Sequence, residues 1–323
     1  MSDNGVFLVT GGAGFLGSNF VDYLLGHGHT KIRVLDNAQF ANKDYLSFLR
    51  RETSVELIEG SILDEETVKR AVEGVDCVFH LAAIIDARYS TQQPILTHRV
   101  NVDGTLNLLE ECRKKTPRLI VFPSSNLTYG NPINVPVDED HPQNPRSPYA
   151  ASKCAAEKYC MAYHHTYGIP ISVLRFSNLY GPRGYGVVNI FVQNALGGRT
   201  LRVEGGDQKR TFTYAEDAVS ALTESSRNNA SIGQIVNIAG PETASVIDVA
   251  KIVADNVTGT TIQISESRPP GDVTSSDYGI SSEKATRLFG YQPNVNLRMG
   301  ITRLIQWYRS LTPTRKEALT PPA

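Results

Sequence analysis

Tyr149-Ala150-Ala151-Ser152-Lys153 sets a phenol and an ammonium four positions apart, directly behind Pro148. A proline suits the first turn of a helix, and in a helix residues four apart share one face. The pairing has a chemical use. A free tyrosine titrates near pKa 10, too high for a base at neutral pH, and a neighbouring cation favours the phenolate. Lowering that pKa by about three units takes roughly 4 kcal/mol of differential stabilisation, which Lys153 can supply together with a second positive charge nearby. Taken alone the spacing is common on solvated helix faces. It gains weight from Ser124-Ser125, which follow the apolar run Leu119-Ile120-Val121-Phe122 and would bring a hydroxyl to a strand end.

A second constellation lies near the N-terminus. Thr10-Gly11-Gly12-Ala13-Gly14-Phe15-Leu16-Gly17 follows the apolar run Val6–Val9 and opens a helical period marked by Phe15, Leu16, Phe20, Val21, Leu24 and Leu25, with Gly26 as the expected stop. Glycines at 11, 14 and 17 permit a tight turn, backbone N–H groups close to a pyrophosphate, and close helix–sheet packing. The helix N-terminus adds unpaired donors and partial positive charge. Asp36 comes nineteen positions after Gly17, where an acid accepts hydrogen bonds from an adenosine ribose and repels a 2′-phosphate. The expected cofactor is therefore NAD, not NADP. Gly60-Ser61-Ile62 and His80-Leu81-Ala82-Ala83 each close a strand at the same edge, where small residues let a flat cofactor lie against the backbone.

These groups need a scaffold that gathers strand ends. The runs Val6–Val9, Ile32–Leu35, Val55–Ile58, Cys77–Leu81, Leu119–Phe122 and Ile171–Phe176 read as six strands, with helical stretches between most of them. Such alternation predicts an α/β fold, a doubly wound parallel sheet of the Rossmann type with ligands at the carboxyl ends of its strands. After Phe176 the texture changes. Residues 177–210 are rich in Gly and Pro around one amphipathic stretch near Ile190–Leu196, Val236–Ala239 reads as a strand returning to the main sheet, and 241–311 is helix-rich. The expected division is a dinucleotide-binding domain over 1–176 with a returning segment near 211–240. A smaller, partly interleaved C-terminal substrate domain takes 177–210 and 241–311, and 312–323 is a loose tail.

Composition excludes several partners. The 323 residues are 41% apolar and 20% charged, as in an ordinary globular chain. Thirty-two Lys+Arg against 33 Asp+Glu leave a net charge of -1, so a nucleic acid loses its main source of affinity. No run approaches the roughly 18 apolar residues of a membrane span. The start Met1–Gly5 carries an acid and leads straight into a strand, unlike a signal peptide. Cys77, Cys112, Cys154 and Cys160 form no pairing framework and read as buried small hydrophobes in a reducing cytoplasm. No metal site is expected, because the adjacent His164 and His165 point to different faces of a helix.

With these motifs in view, the chain resembles the extended short-chain dehydrogenases/reductases of the nucleotide-sugar epimerase/dehydratase family over roughly residues 5–310. The resemblance is carried by TGGAGFLG at 10–17, LDN at 35–37, HLAA at 80–83, Asn101 in NVDGTLNLLE, SSNLTYG at 124–130, SPYAASK at 147–153, LRFSNLYGPRG at 174–184, QKRTFTYAEDAV at 208–219 and RPPGDV at 268–273. It implies that Tyr149 takes the proton from a sugar hydroxyl, normally at C4, while hydride passes to NAD. Lys153 then binds the nicotinamide ribose and depresses the Tyr149 pKa, and Ser125 holds the reacting oxygen. Gly11, Gly14, Phe15, Leu16, Gly17, Asp36, Asn37, Ser61, Ile62, Leu81, Ala82, Ala83 and Asn101, with Tyr149 and Lys153, are the implied cofactor contacts. Ser125, Asn178, Asn189, Arg210 and Arg268 are the implied substrate contacts, the two arginines clamping a diphosphate. The family also implies a homodimer through helices near 100–114 and 150–167.

Within that family, Ser125-Asn126-Leu127 stands where hexose dehydratases show Thr-Asp-Glu, so the usual acid and base for eliminating water are missing. A nucleotide-sugar 4-epimerase of the UDP-hexose type is the expected function. Its alternatives are a UDP-uronate epimerase or decarboxylase, a 4-ketoreductase, a dehydratase and a non-catalytic dinucleotide sensor. Arg88-Tyr89-Ser90 resembles a segment of uronate epimerases, while Asp86 places an acid where many relatives carry small or neutral residues.

Overall fold

The structure, a computed structural model, describes residues 5–266 and 277–311. Phe7–Thr10 (β1) is buried at every position, as a strand covered on both faces must be. It leads into Phe15–Gly26 (α1) and Ile32–Asp36 (β2). The alternation continues through Lys43–Leu49 (α2), Val55–Glu59 (β3), Glu65–Val72 (α3) and Cys77–His80 (β4). Two short helices, Ala87–Gln92 (α4) and Pro94–His98 (α5), precede a π-helical turn over Arg99–Asp103 and Gly104–Lys115 (α6). Leu119–Ser125 (β5), a 3-10 turn over Asn126–Tyr129, Pro148–Tyr167 (α7) and Ile171–Phe176 (β6) follow.

Beyond β6 come Asn178–Tyr180 (β7), Val187–Leu196 (α8), Leu201–Glu204 (β8), Lys209–Tyr214 (β9), Ala215–Arg227 (α9) and Ile235–Ile238 (β10). Thr243–Ser245 (β11), Val246–Asn256 (α10), Ile262–Ser265 (β12), Glu283–Phe289 (α11) and Leu297–Ser310 (α12) complete the described chain.

Seven strands form one parallel sheet in the order β10-β6-β5-β4-β1-β2-β3. The chain runs outward from β1 to β3 and then crosses to β4 on the other side of β1, so the strand order reverses there. Crevices for ligands open at such a reversal, beyond the carboxyl ends of the strands. Each face of the sheet buries an apolar layer. Phe20 and Leu24 of α1, Leu46 of α2, Leu222 of α9 and Phe289 of α11 cover one side. Val68 of α3, Leu108 of α6 and Ala156 and Cys160 of α7 cover the other. A third apolar cluster joins Phe191 and Val192 of α8, Leu201 of β8, Phe212 of β9, Val249 and Val253 of α10 and Leu304 of α12. It surrounds a three-stranded sheet (β11-β9-β7) and a pair (β12-β8), with β10 returning to the edge of the large sheet beside β6.

Local chemistry explains most boundaries. Helix α7 begins at Pro148 behind Ser147, whose side chain accepts from Ala150 N, and ends before Gly168 in the left-handed region. Helix α1 ends at Gly26, where the sequence places its stop. The left-handed turn falls at Gly28, φ +77°. Two glycines close together leave the pattern ambiguous, and the backbone uses the one whose amide reaches the Leu25 carbonyl. The Gly-rich stretch after Phe176, with Pro182 its one proline, holds β7 and β8 as well as the one helix expected. Among the described residues no helix is long and apolar enough to cross a membrane. The RPPGDV segment and the tail from Thr312 lie outside the described residues.

Candidate active site

A cleft of about 1340 Å³ opens over the carboxyl ends of β1, β2, β4, β5 and β6 and is closed on its far side by residues of β7, α8, β8 and β9. Gly11, Gly14, Phe15, Leu16 and Gly17 form one end of its lining. Gly11 sits at φ +68°, and a Cβ there would lie 2.7 Å from Ala82 N. A Cβ on Gly17 would drive into the Gly11 carbonyl. The turn therefore admits no side chain, and its backbone stays open to a ligand. Gly14, the N-cap of α1, has no side chain to occupy the helix's first donors, which leaves them for an anion.

Asp36 is buried at the end of β2 and accepts from Ala13 N at 3.0 Å and Ala38 N at 2.8 Å. Burial raises its pKa and those two amides oppose the rise. The carboxylate thus ties the glycine turn to β2 and still lines the cleft with lone pairs to spare. Asn37, Ser61, Ile62, Leu81, Ala82 and Ala83 line the same end. Ala82 N donates to Thr10 Oγ1, which also bonds Nδ1 of a buried His80, and His80 Nε2 bonds Thr105 Oγ1. Glycine cradle, ribose-height acid, uncapped helix terminus and small strand ends together fit a dinucleotide.

Asn101, also expected to touch the cofactor, does not line this cleft. It is 2% exposed in the π-helical turn; its Oδ1 accepts from Ile84 N, and its Nδ2 donates to Ile84 O and Ser152 Oγ. The Ser152 hydroxyl in turn donates to the Tyr149 carbonyl. Asn101 therefore braces the strand end after β4 against the turn that carries Tyr149.

Ser125, Tyr149 and Lys153 meet in the middle of the cleft, 7%, 7% and 5% exposed. Helix α7 supplies the last two from one face, and Ser90 Oγ accepts from Tyr149 N at 3.1 Å. The phenol lies beside the Ser125 hydroxyl. Burial pushes the Tyr149 pKa up to about 12, and the Ser125 hydroxyl pulls it back only partly. Burial pulls Lys153 down to about 8, with Cys160 and Glu157 opposing. Its Nζ lies 4.6 Å from the centroid of Phe122. The expected depression of the tyrosine by the lysine is thus absent from the chain by itself. Desolvation dominates both groups, and Lys153 is not among the influences on Tyr149. One turn beyond Lys153, Glu157 forms a fully buried ion pair with Arg175 of β6, and the arginine also donates to the Tyr129 hydroxyl at 2.8 Å. This pair fixes the rotation of α7 on the sheet.

On the opposite wall the expected substrate residues separate. Asn178 lines the cleft at the start of β7. Arg210 lines it from β9, 4% exposed, donating to Lys209 O at 2.7 Å. Asn189 is fully buried in α8 and away from the lining. Its amide donates to Gly181 O at 2.7 Å and to the Tyr308 hydroxyl at 3.3 Å, closing the loop between β7 and α8. Arg268 lies outside the described residues.

Several lining residues escaped the sequence reading. Tyr185, 39% exposed, lines the cleft near Asp86 and Tyr149. Arg199, Arg202 and Gln208 line the end that holds Arg210. Ser124 and Asn126 flank Ser125, and Ser124 Oγ and Asn126 Nδ2 are buried without a hydrogen-bond partner. The signal for Asn126 is its place next to Ser125, which in the sequence speaks only for the absence of an acid.

The sequence model of the NAD dependent epimerase/dehydratase family matches residues 7–239. A proposed UDP-glucose 4-epimerase of Methanocaldococcus jannaschii is 35% identical, over 94% of this chain and 99% of its own. The UDP-N-acetyl-alpha-D-glucosaminuronate decarboxylase of Bacillus cytotoxicus is 31% identical, over 94% and 98%. Among solved structures, the UDP-glucose 4-epimerase of Thermus thermophilus, in complex with NAD, superposes with a TM-score of 0.83 at 32% identity, over 95% of this chain and 99% of that one.

Proposed function

The chain belongs to the NAD-dependent epimerase/dehydratase family, and on that premise we propose that it is a nucleotide-sugar 4-epimerase of the UDP-hexose type. The reading rests on one observation. Ser125, Tyr149 and Lys153 meet at a single buried point of the cleft, and the two residues after Ser125 carry no carboxylate. NAD, held along the glycine turn, Asp36 and the β4 strand end, supplies the two-electron acceptor and donor. Tyr149 takes the proton of the C4 hydroxyl and later gives it back. Ser125 holds that oxygen throughout, and Lys153, charged below about pH 8, would stabilise the phenolate only together with the positive ring of the bound cofactor. Elimination of water needs an acid and a base that Asn126 and Leu127 do not provide. Inversion needs only that the sugar turn its other face to the same groups.

A neutral hexose is favoured over a uronate by the charges around the sugar. Asp86 lines the cleft close enough, with Tyr149, to act on Tyr185. Arg88, the cation on that side, is paired with Glu204 at 3.3 Å. Arg210, Arg199 and Arg202 gather at the other wall, where a diphosphate fits. We also infer a homodimer through α6 and α7, whose outer side carries Tyr159 and Tyr167, 43% and 52% exposed; light scattering of the purified protein reads its mass. The functional test is incubation with UDP-, TDP-, GDP- and CDP-sugars without added cofactor, with products identified by NMR. Interconversion of UDP-glucose and UDP-galactose is the expected result. A deoxy or unsaturated product, or release of carbon dioxide from a uronate, overturns the reading.

A further inference from the structure

We propose that Asn126 is a specificity-determining residue of the sugar subsite. Its side-chain amide donates to an oxygen on a ring carbon adjoining the carbinol that Ser125 and Tyr149 hold. The inference rests on the nucleotide-sugar reading above and adds to it a residue and the substituent it selects.

Asn126 is 2% exposed, lines the cleft, and its Nδ2 has no hydrogen-bond partner in the chain. A buried amide left in that condition costs about 1–3 kcal/mol, and native structures rarely tolerate it without a ligand or water to supply the acceptor. Four other buried side-chain atoms share the condition among the described residues, on Ser124, Gln143, Ser172 and Tyr180. Of these only Ser124 also lines the cleft, and a hydroxyl can turn its single proton where an amide cannot hide two.

Its backbone is pinned in place. The Asn126 carbonyl accepts from the buried Tyr278 hydroxyl at 2.6 Å, and Ser125 Oγ accepts from Leu127 N at 3.2 Å at the head of the 3-10 turn. Holding an unpaired amide rigidly beside the catalytic serine is how a site is preorganised for one substituent. Consecutive Cα atoms lie about 3.8 Å apart, so the amide reaches an oxygen one ring bond from the carbinol and falls short of the diphosphate. The candidates are the hydroxyl on one neighbouring carbon and the hydroxymethyl group on the other.

The test uses the full chain with Asn126→Ala and Asn126→Asp, the second keeping the shape while removing both donors. Calorimetry with UDP-glucose and with UDP separates sugar contact from nucleotide contact. The proposal expects both variants to weaken UDP-glucose about tenfold to a hundredfold and to leave UDP unchanged. It expects kcat/KM on UDP-glucose to fall by a similar factor. With UDP-xylose, which lacks the hydroxymethyl group, or UDP-3-deoxyglucose, which lacks the other oxygen, the ratio of wild type to variant should collapse toward one for whichever analogue lacks the contacted oxygen. A ratio that stays the same on both analogues, or equal weakening of UDP and UDP-glucose, overturns the assignment. Thermal melting identifies a variant that has merely lost its fold, and the aspartate variant then decides. Wild-type protein that binds UDP-glucose without converting it speaks against the epimerase reading and leaves the Asn126 comparison readable as dissociation constants. Wild-type protein that binds neither UDP-glucose nor UDP refutes both.

Discussion

The two walls of the cleft are built by different means. The dinucleotide wall is made of backbone: a glycine turn with no room for a Cβ, an uncapped helix end, and strand ends with small side chains, all drawn from residues 10–83. The substrate wall is made of side chains that arrive from β7, α8, β8 and β9 and depend on a separate apolar cluster for their placement. A backbone site tolerates few substitutions but needs few contacts. A side-chain site can be retuned residue by residue, and this suits a scaffold that binds one cofactor and differing sugars.

The seam between the walls should give the largest effect. Tyr149→Phe keeps the buried ring and removes the oxygen that lies beside Ser125. Its kcat should fall about a thousandfold, within the usual range for losing a general base, while NAD content and melting temperature stay near wild type. If NAD retention fell with turnover, the phenol would belong to the dinucleotide wall and the division drawn here would fail.

The dinucleotide wall has its own acid limit. His80 is fully enclosed between Thr10 and Thr105, and burial, aided by the positive charge of Lys153, pulls its pKa down to about 3. The folded state thus refuses a proton that the unfolded chain accepts near pH 6.5. The stability this group confers is complete above about 6.5 and is lost as pH falls toward 3, on the order of 4 kcal/mol over that span. Urea melts of wild type and His80→Asn between pH 4 and 7 measure it, and the variant should show the shallower slope. Because His80 holds Thr10 and, through it, Ala82 N, bound NAD should be released across the same interval.

Smaller effects sharpen the contrast within each wall. Gly17→Ala forces a methyl into the Gly11 carbonyl and should cost about 3 kcal/mol together with loss of NAD. Asn189→Ala removes amide bonds to Gly181 and Tyr308. It should cost about 1–2 kcal/mol in denaturant melts while KM for the nucleotide sugar changes little. A large rise in KM would return Asn189 to the substrate list.

The same contrast governs what the sequence disclosed. The glycine turn, Asp36 and the six strands of the first half are written in contiguous residues, because a buried parallel strand is a run of apolar side chains and a tight turn demands glycine. The Tyr149/Lys153 pair was legible for a similar local reason, four residues on one helix. Asn101 and Asn189 were not, because an asparagine that contacts a ligand and one that contacts a carbonyl look alike until the fold shows which is nearby. β7 and β8, three and four residues long, are too short to make a period. The raised pKa of Tyr149 in the chain by itself is not legible either, because spacing reveals a neighbour's charge but not how much water surrounds both groups.

The smallest predicted effect concerns the contact that bridges the mouth of the cleft. Arg88 of α4 and Glu204 of β8 meet at 3.3 Å with side chains 64% and 44% exposed. An ion pair this exposed is screened and contributes little, so Arg88→Ala should alter stability by less than about 0.5 kcal/mol. Its value lies in charge. Freed of its partner, Glu204 joins Asp86 in lining the cleft without a countercharge, and any binding of an acidic sugar should weaken further. Removing the partner instead, in Glu204→Gln, releases Arg88 to meet a carboxylate. UDP-glucuronate should then bind more tightly relative to UDP-glucose than it does in wild type, by a few-fold at low salt and less at high salt. If the ratio did not move, Arg88 would lie beyond reach of the sugar, and Asp86 alone would carry the discrimination against acids on that side of the cleft.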